Sequence, residues 1–122
     1  GFPTETDEMF QTTVDNVKAW GLQYLHVFPY SKRPGTPAER MPQVLGNTIK
    51  SRAKTLRDLG ATALAIHMDT LTSTRQAVLV EKEGFGRTES FAPVKFVGAA
   101  PQGEITKMTI LGHDKGILRA KT

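Results

Sequence analysis

The sequence predicts an α/β segment followed by a small all-β barrel, with the change near residue 70. Three observations predict it. Apolar residues recur at helical spacing twice in the first 70 positions, on either side of a β-branched and aromatic run from Leu22 to Phe28. Past Leu71 the pattern shortens to four β-type runs: Gln76 to Glu81, Ser90 to Val97, Ile105 to Leu111 and Ile117 to Ala120. Glycine-rich turns punctuate them at Gly84-Phe85-Gly86, Gly98 to Gly103 and Gly112 to Gly116. The expected domains are 1–70 and 71–122, which suits a chain of 122 residues: one small domain plus part of another.

Taken in order, Gly1-Phe2-Pro3 reads as the tail of a strand turning into a helix. Thr6 is the expected N-cap, with Asp7 and Glu8 complementing the dipole of the first turn. Phe10, Val14 and Val17 form one apolar stripe, and Gly21 supplies the stop. Leu22 to Phe28 then reads as a strand buried on both faces. Pro29, Pro34, Gly35 and Pro37 exclude helix or sheet from the next stretch, leaving a stiff loop that carries Tyr30, Ser31, Lys32 and Arg33. Such a loop is either a linker or the place where an α/β enzyme presents binding groups.

A second helix is expected from Asn47 or Thr48 to about Thr70. Ile49, Ala53, Leu56, Gly60, Ala63, His67 and Leu71 form its apolar face. Gly60 costs about 1 kcal/mol against Ala in mid-helix, so close packing or a break is expected there. Lys50, Lys54 and Arg57 lie together off that face, as a solvated flank or as one that meets phosphates.

Composition removes several classes. Without cysteine there is no disulfide framework and no thiolate metal site, so an iron–sulfur cluster cannot be held within this chain. No apolar run approaches the roughly 20 residues of a membrane span. His26, His67 and His113 lie forty-odd residues apart with no ligand spacing between them. No Ser-His-Asp order, Walker loop or dinucleotide fingerprint occurs. The chain alone is not a self-sufficient enzyme. Its net charge of +4 is unevenly spread. Seven basic residues and one acid lie between Lys32 and Arg57, and residues 72–122 hold eight Lys/Arg against five acids. Local excess of this kind suits phosphate binding, although basic residues also simply solvate surfaces.

Three motifs in order carry a resemblance. Gly1-Phe2-Pro3-Thr4-Glu5-Thr6, then His26-Val-Phe-Pro-Tyr-Ser-Lys-Arg-Pro-Gly-Thr-Pro-Ala38 with Arg40-Met41-Pro42-Gln43-Val44, then Gly86-Arg87-Thr88-Glu89 are similar to the radical-SAM methylthiotransferases that modify tRNA. The second resembles the branch acting on threonylcarbamoyladenosine beside the anticodon. The resemblance implies the C-terminal portion of such an enzyme: the end of a partial (β/α) radical-SAM barrel, then an OB-like TRAM barrel. Val78-Leu79-Val80-Glu81 and Gly86 to Val94 carry the TRAM likeness. Many members of the family carry Gly where Thr4 stands, and often a Gly where this chain has Ser73-Thr74.

By the same resemblance, [4Fe–4S] clusters and S-adenosylmethionine belong to the parent enzyme, the cluster-binding cysteines lying N-terminal to this chain. Gly1, Pro3 and Glu5 would line the cofactor side of the pocket, and Tyr30 and Arg33 the substrate side. Arg33 would hold the threonylcarbamoyl carboxylate through its planar fork. Lys50, Lys54, Arg57, Arg87, Phe91, Lys107 and Arg119 would meet tRNA, Arg87 gripping a phosphate while Phe91 stacks on a base. Alternatively Arg87 pairs with Glu89 or with a neighbouring strand and Phe91 is a core aromatic, while His113 sits in a turn. The expected setting is cytoplasmic, with tRNA as partner and no membrane. The edge of Leu22 to Phe28 would invite a homodimer. A different class remains open: a non-catalytic RNA-binding module with a helical adaptor, or a protein-interaction fragment.

Overall fold

A computed structural model describes all 122 residues, and they divide into two compact units, Gly1–Ala63 and Leu64–Thr122. Helix α1 spans Asp7–Ala19, and the Thr6 side chain accepts a hydrogen bond from the Met9 amide at 3.2 Å, as an N-cap should. Helix α2 spans Gly46–Leu71 without a break. Its residues up to 63 belong to the first unit and its last turns to the second.

In the first unit, Gly60 faces Leu25 so closely that a Cβ there would lie 3.2 Å from three Leu25 side-chain atoms. Close packing, not a helix break, is therefore the reason for this glycine. Leu22 to Phe28 is extended but joins no ladder, so the expected buried strand is not formed. No neighbouring strand exists in the unit to flank it. Leu25 and Val27 are half-buried, whereas Phe28 is 84% exposed and Leu22 and Tyr24 are also exposed. A single 3₁₀ turn, Pro37–Arg40, follows, capped by Thr36.

The second unit is a closed barrel. Its strands are β1 Arg75–Lys82, β2 Phe85–Thr88, β3 Pro93–Val97, β4 Ile105–Asp114 and β5 Ile117–Lys121, in the order β1-β2-β3-β5-β4. All ladders are antiparallel except β3 with β5. This is an OB-like arrangement. Alternation sends Val78, Val80, Val94, Phe96, Met108, Ile110, Leu118 and Ala120 inward. Met68, with Leu64 and Leu71 beside it, adds the end of α2 to that core. Each of the larger side chains contributes about 1.5–3 kcal/mol by leaving water.

Two features correct the sequence reading. Gly84-Phe85-Gly86 is not only a turn: Phe85 begins β2, a strand too short and glycine-rich to register as one. His113 lies within β4 rather than in a turn, and its Nε2 is 2.7 Å from Asp69 Oδ1, joining the end of α2 to the barrel. The turn itself is Lys115-Gly116, both at positive φ (48° and 74°), as a two-residue hairpin requires.

Thr4 and Ser73 occupy the left-handed region, at φ 71° and 66°. For a β-branched residue such as Thr4 this is a strained conformation. Thr4→Gly should therefore stabilise the first unit by about 1 kcal/mol, since the strain relieved exceeds the added chain entropy. Thermal unfolding measures this, and a lowered midpoint would show that the turn carries no strain.

Candidate functional site

Two sets of residues carry the candidate chemistry, one in each unit. In the first, the Gly1–Glu5 turn packs onto α2. A Cβ on Gly1 would meet Ile49 at 2.8 Å, Pro3 is fully buried, and the Thr4 amide donates to the Pro42 carbonyl at 3.1 Å. Arg52, only 7% exposed, holds this turn. Its Nη1 donates to the Glu5 carbonyl (3.0 Å) and to Glu5 Oε1 (2.9 Å), its Nη2 donates to Asp7 Oδ1 (2.7 Å), and its guanidinium lies 5.5 Å over the Phe10 ring. The Asp7 hydrogen bond, with Glu5 behind it, raises the Arg52 guanidinium further above its ordinary value against the opposing cost of burial. Glu5 is thus already engaged, and the cleft it shares with Gly1, Val27 and Phe28 is about 50 Å³, far below the volume of ligand pockets.

Tyr30 packs its ring edge-on to Phe2, with centroids 5.7 Å apart, and its hydroxyl is buried without a hydrogen-bond partner. Arg33 is exposed and forms no ion pair. Its carbonyl, however, accepts from the Thr36 hydroxyl at 2.8 Å, which fixes the loop that carries it. Along α2, Lys54 is paired with Asp58, Arg57 donates to the Val27 carbonyl at 3.2 Å, and Lys50 is exposed and unpaired.

On the barrel, Leu79 of β1 is in register with Arg87 of β2 and Ile105 of β4. Together with Phe91 and Glu81 they line an apolar pocket of about 430 Å³, within the range of ligand sites. Phe91 is no core aromatic: it is 73% exposed and held at φ 65°. The Phe91 amide donates to the Thr88 carbonyl (3.0 Å), and the Ala92 amide donates to the Thr88 hydroxyl (3.1 Å). That tight turn projects the ring outward. Arg87 pairs with Glu81 of the neighbouring strand β1 at 3.1 Å, as the second of the two expected pairings, and reaches the Phe91 carbonyl at 3.4 Å. Arg87 and Phe91 are therefore together, while Lys107 and Arg119 stand elsewhere on the wall, on β4 and β5.

Sequence reasoning missed Arg52, counted only as one basic residue among seven. A signal was available in its neighbours along the helix, the apolar Ile49, Ala53 and Leu56, whereas its acid partners lie more than forty residues away in the chain. No group of three or more His, Asp or Glu is placed to hold a metal ion, and the chain has no thiolate for an iron–sulfur cluster. No helix is long and apolar enough to cross a membrane.

The architecture defines the class: a helical segment with presented loops, joined to a closed five-stranded barrel of OB-like order. Comparison with known proteins then makes the chain homologous to tRNA methylthiotransferases. It is 44% identical over 119 residues to the threonylcarbamoyladenosine tRNA methylthiotransferase MtaB of Rickettsia prowazekii, an alignment covering 98% of this chain and 28% of that protein. It is 36% identical over 110 residues to a probable threonylcarbamoyladenosine tRNA methylthiotransferase of Methanocaldococcus jannaschii, covering 90% of this chain and 26% of that protein. It is also 35% identical over 121 residues to the tRNA-2-methylthio-N(6)-dimethylallyladenosine synthase of Magnetococcus marinus, with 88% and 28% covered. The chain spans little more than a quarter of the length of these relatives. No protein-family model matches it.

Proposed function

We propose that this chain is the C-terminal portion of a radical-SAM tRNA methylthiotransferase acting on threonylcarbamoyladenosine, with residues 1–70 ending its (β/α) barrel and residues 71–122 forming a TRAM domain that holds tRNA in the cytoplasm. The observation that carries this reading is the 44% identity to the Rickettsia enzyme over 98% of the chain. When bound, S-adenosylmethionine and the [4Fe–4S] clusters supply radical hydrogen abstraction and sulfur insertion. Thiolates outside this chain hold the clusters. Gly1, Pro3 and Glu5 shape the turn on the cofactor side. Arg52 keeps that turn in place.

Tyr30 and Arg33 face the substrate. An exposed guanidinium without an ion pair, on a loop pinned at its carbonyl, is suited to a carboxylate such as that of the threonylcarbamoyl group. The tRNA itself is held by cations from α2 and the barrel, with Lys50, Lys54, Arg57, Arg87, Lys107 and Arg119 as the first candidates. Leu22 to Phe28 takes its place beside a strand of the full barrel. In the isolated chain its open edge favours a symmetric dimer.

The test replaces the corresponding segment of the Rickettsia enzyme with this chain and measures 2-methylthio formation on tRNA bearing threonylcarbamoyladenosine. The chimera should be active. Arg33→Lys in it should lower turnover about 10- to 100-fold, as expected when a bidentate interaction of roughly 1.5–3 kcal/mol is removed, with little change in tRNA affinity. A folded chimera that binds tRNA but never modifies it would leave the non-catalytic RNA-binding module as the better reading.

A further inference from the structure

The outer wall of the barrel separates its charges by strand. Glu81 and Glu83 lie at the β1–β2 hairpin and Glu89 in the turn from β2 to β3, while Glu104 and Asp114 stand at the two ends of β4. Strands β3 and β5 contain no acidic residue. Alternation turns Lys95 of β3 outward, between buried Val94 and Phe96, and turns Arg119 and Lys121 of β5 outward, around buried Ala120. Lys95 and Arg119 are direct partners across the parallel ladder. Lys121 is opposite Thr109 of β4, which in turn is opposite Arg75 of β1. None of these four cations forms an ion pair.

Like charges facing each other on one sheet are destabilising, and no ion pair offsets them here. Arg87, in contrast, is already paired with Glu81, and its pocket is lined by one further carboxylate, Glu89. An RNA backbone laid over that pocket would meet negative charge. One laid over β3, β5 and the middle of β4 would not, because Glu104 and Asp114 stand at the two ends of β4. Steps of about 5 Å between strands and about 7 Å between alternate residues of one strand are on the scale of neighbouring phosphates.

We infer that the RNA backbone crosses the barrel over β3, β5 and β4, with its phosphates on Lys95, Arg119, Lys121 and Arg75, and that the Arg87–Phe91 pocket lies outside this path. The inference rests on the RNA-binding reading above and locates it on one wall. It replaces Arg87 by Lys95, Lys121 and Arg75 among the groups that meet phosphate.

The test is titration of the full 122-residue chain against a fluorescent, unmodified tRNA transcript over a range of salt concentrations. For flexible strands the logarithmic salt slope falls by about 0.7 for each phosphate that the protein no longer neutralises. Lys95→Gln, Arg119→Gln and Lys121→Gln together should reduce it by about 2, and Arg87→Gln with Phe91→Ala should change it by less than about 0.5. All five side chains point outward, and an unchanged melting midpoint verifies folding. A reduced slope confined to the Arg87 and Phe91 variant, or an equal reduction in both, would overturn the path while keeping the RNA reading. A wild-type chain with no salt-dependent tRNA binding would overturn both. Equal affinity for polyglutamate of similar charge would assign the wall to an acidic protein instead.

Discussion

Gly86→Ala is expected to destabilise the barrel by about 3 kcal/mol, the upper end of the cost of overpacking a closed core. Gly86 lies in β2, paired to Val80 on one side and Val94 on the other. A Cβ there would fall 2.3 Å from the Leu79 carbonyl oxygen and 2.8 Å from Val78 Cγ1. The first of these is backbone in a neighbouring strand. It cannot rotate away, so relief requires opening the β1–β2 ladder beside the bulge between Val80 and Lys82. For a unit of this size the change corresponds to a drop of more than about 10 °C in melting midpoint. Thermal and denaturant unfolding of the full chain measure it directly. A midpoint within about two degrees of wild type would mean that β2 is not held at this separation.

Arg52→Leu is expected to cost the first unit about 2 kcal/mol. The substitution removes the two hydrogen bonds to Glu5 and the one to Asp7, and leaves the mostly buried Glu5 carboxylate without its guanidinium. Asp7 is almost fully exposed and recovers solvent when its partner is removed, which keeps the cost below that of a fully buried triad. Glu5→Gln should cost less, because the Glu5 backbone carbonyl still accepts from Arg52. In a double-mutant cycle the two changes should be non-additive by about 1 kcal/mol, as for residues that touch. Strict additivity would mean that the Gly1–Glu5 turn is held by the packing of Gly1 and Pro3 alone. The chimeric enzyme then provides a functional readout: Arg52→Leu should weaken cofactor binding without changing the salt dependence of tRNA binding.

The elements legible in the sequence are those whose pattern is local. Thr6 announces the start of α1, and the spacing from Ile49 to Leu71 announces α2, because capping and a 3.6-residue stripe involve neighbours in the chain. Four of the five strands show as alternating runs for the same reason. Thr4 and Ser73, the two positions at which the resemblance favours glycine, both have positive φ in the structure. The chain keeps the turns and accepts side chains within them. β2 escaped detection because Gly86 hides its alternation, and it is a strand only because β1 and β3 lie on either side of it.

By itself, then, the sequence determined two helices in the first part, a barrel-type end, a chain without thiolates and a basic balance. Each of these follows from residue identity and from spacing along the chain. Tertiary structure decided which charges remain free. Arg52 and Arg87 look no different from Lys95 or Arg119 in a count of basic residues, yet the first two face carboxylates and the second two do not. Phe91 could be a core ring or a surface ring until the turn at Thr88 projected it into solvent. Leu22 to Phe28 has the composition of a buried strand, but no flanking strand completes it in this unit. Ion pairing, ring exposure and ladder formation each depend on residues distant in sequence, and only the closed barrel and the packing of α2 bring those residues within reach.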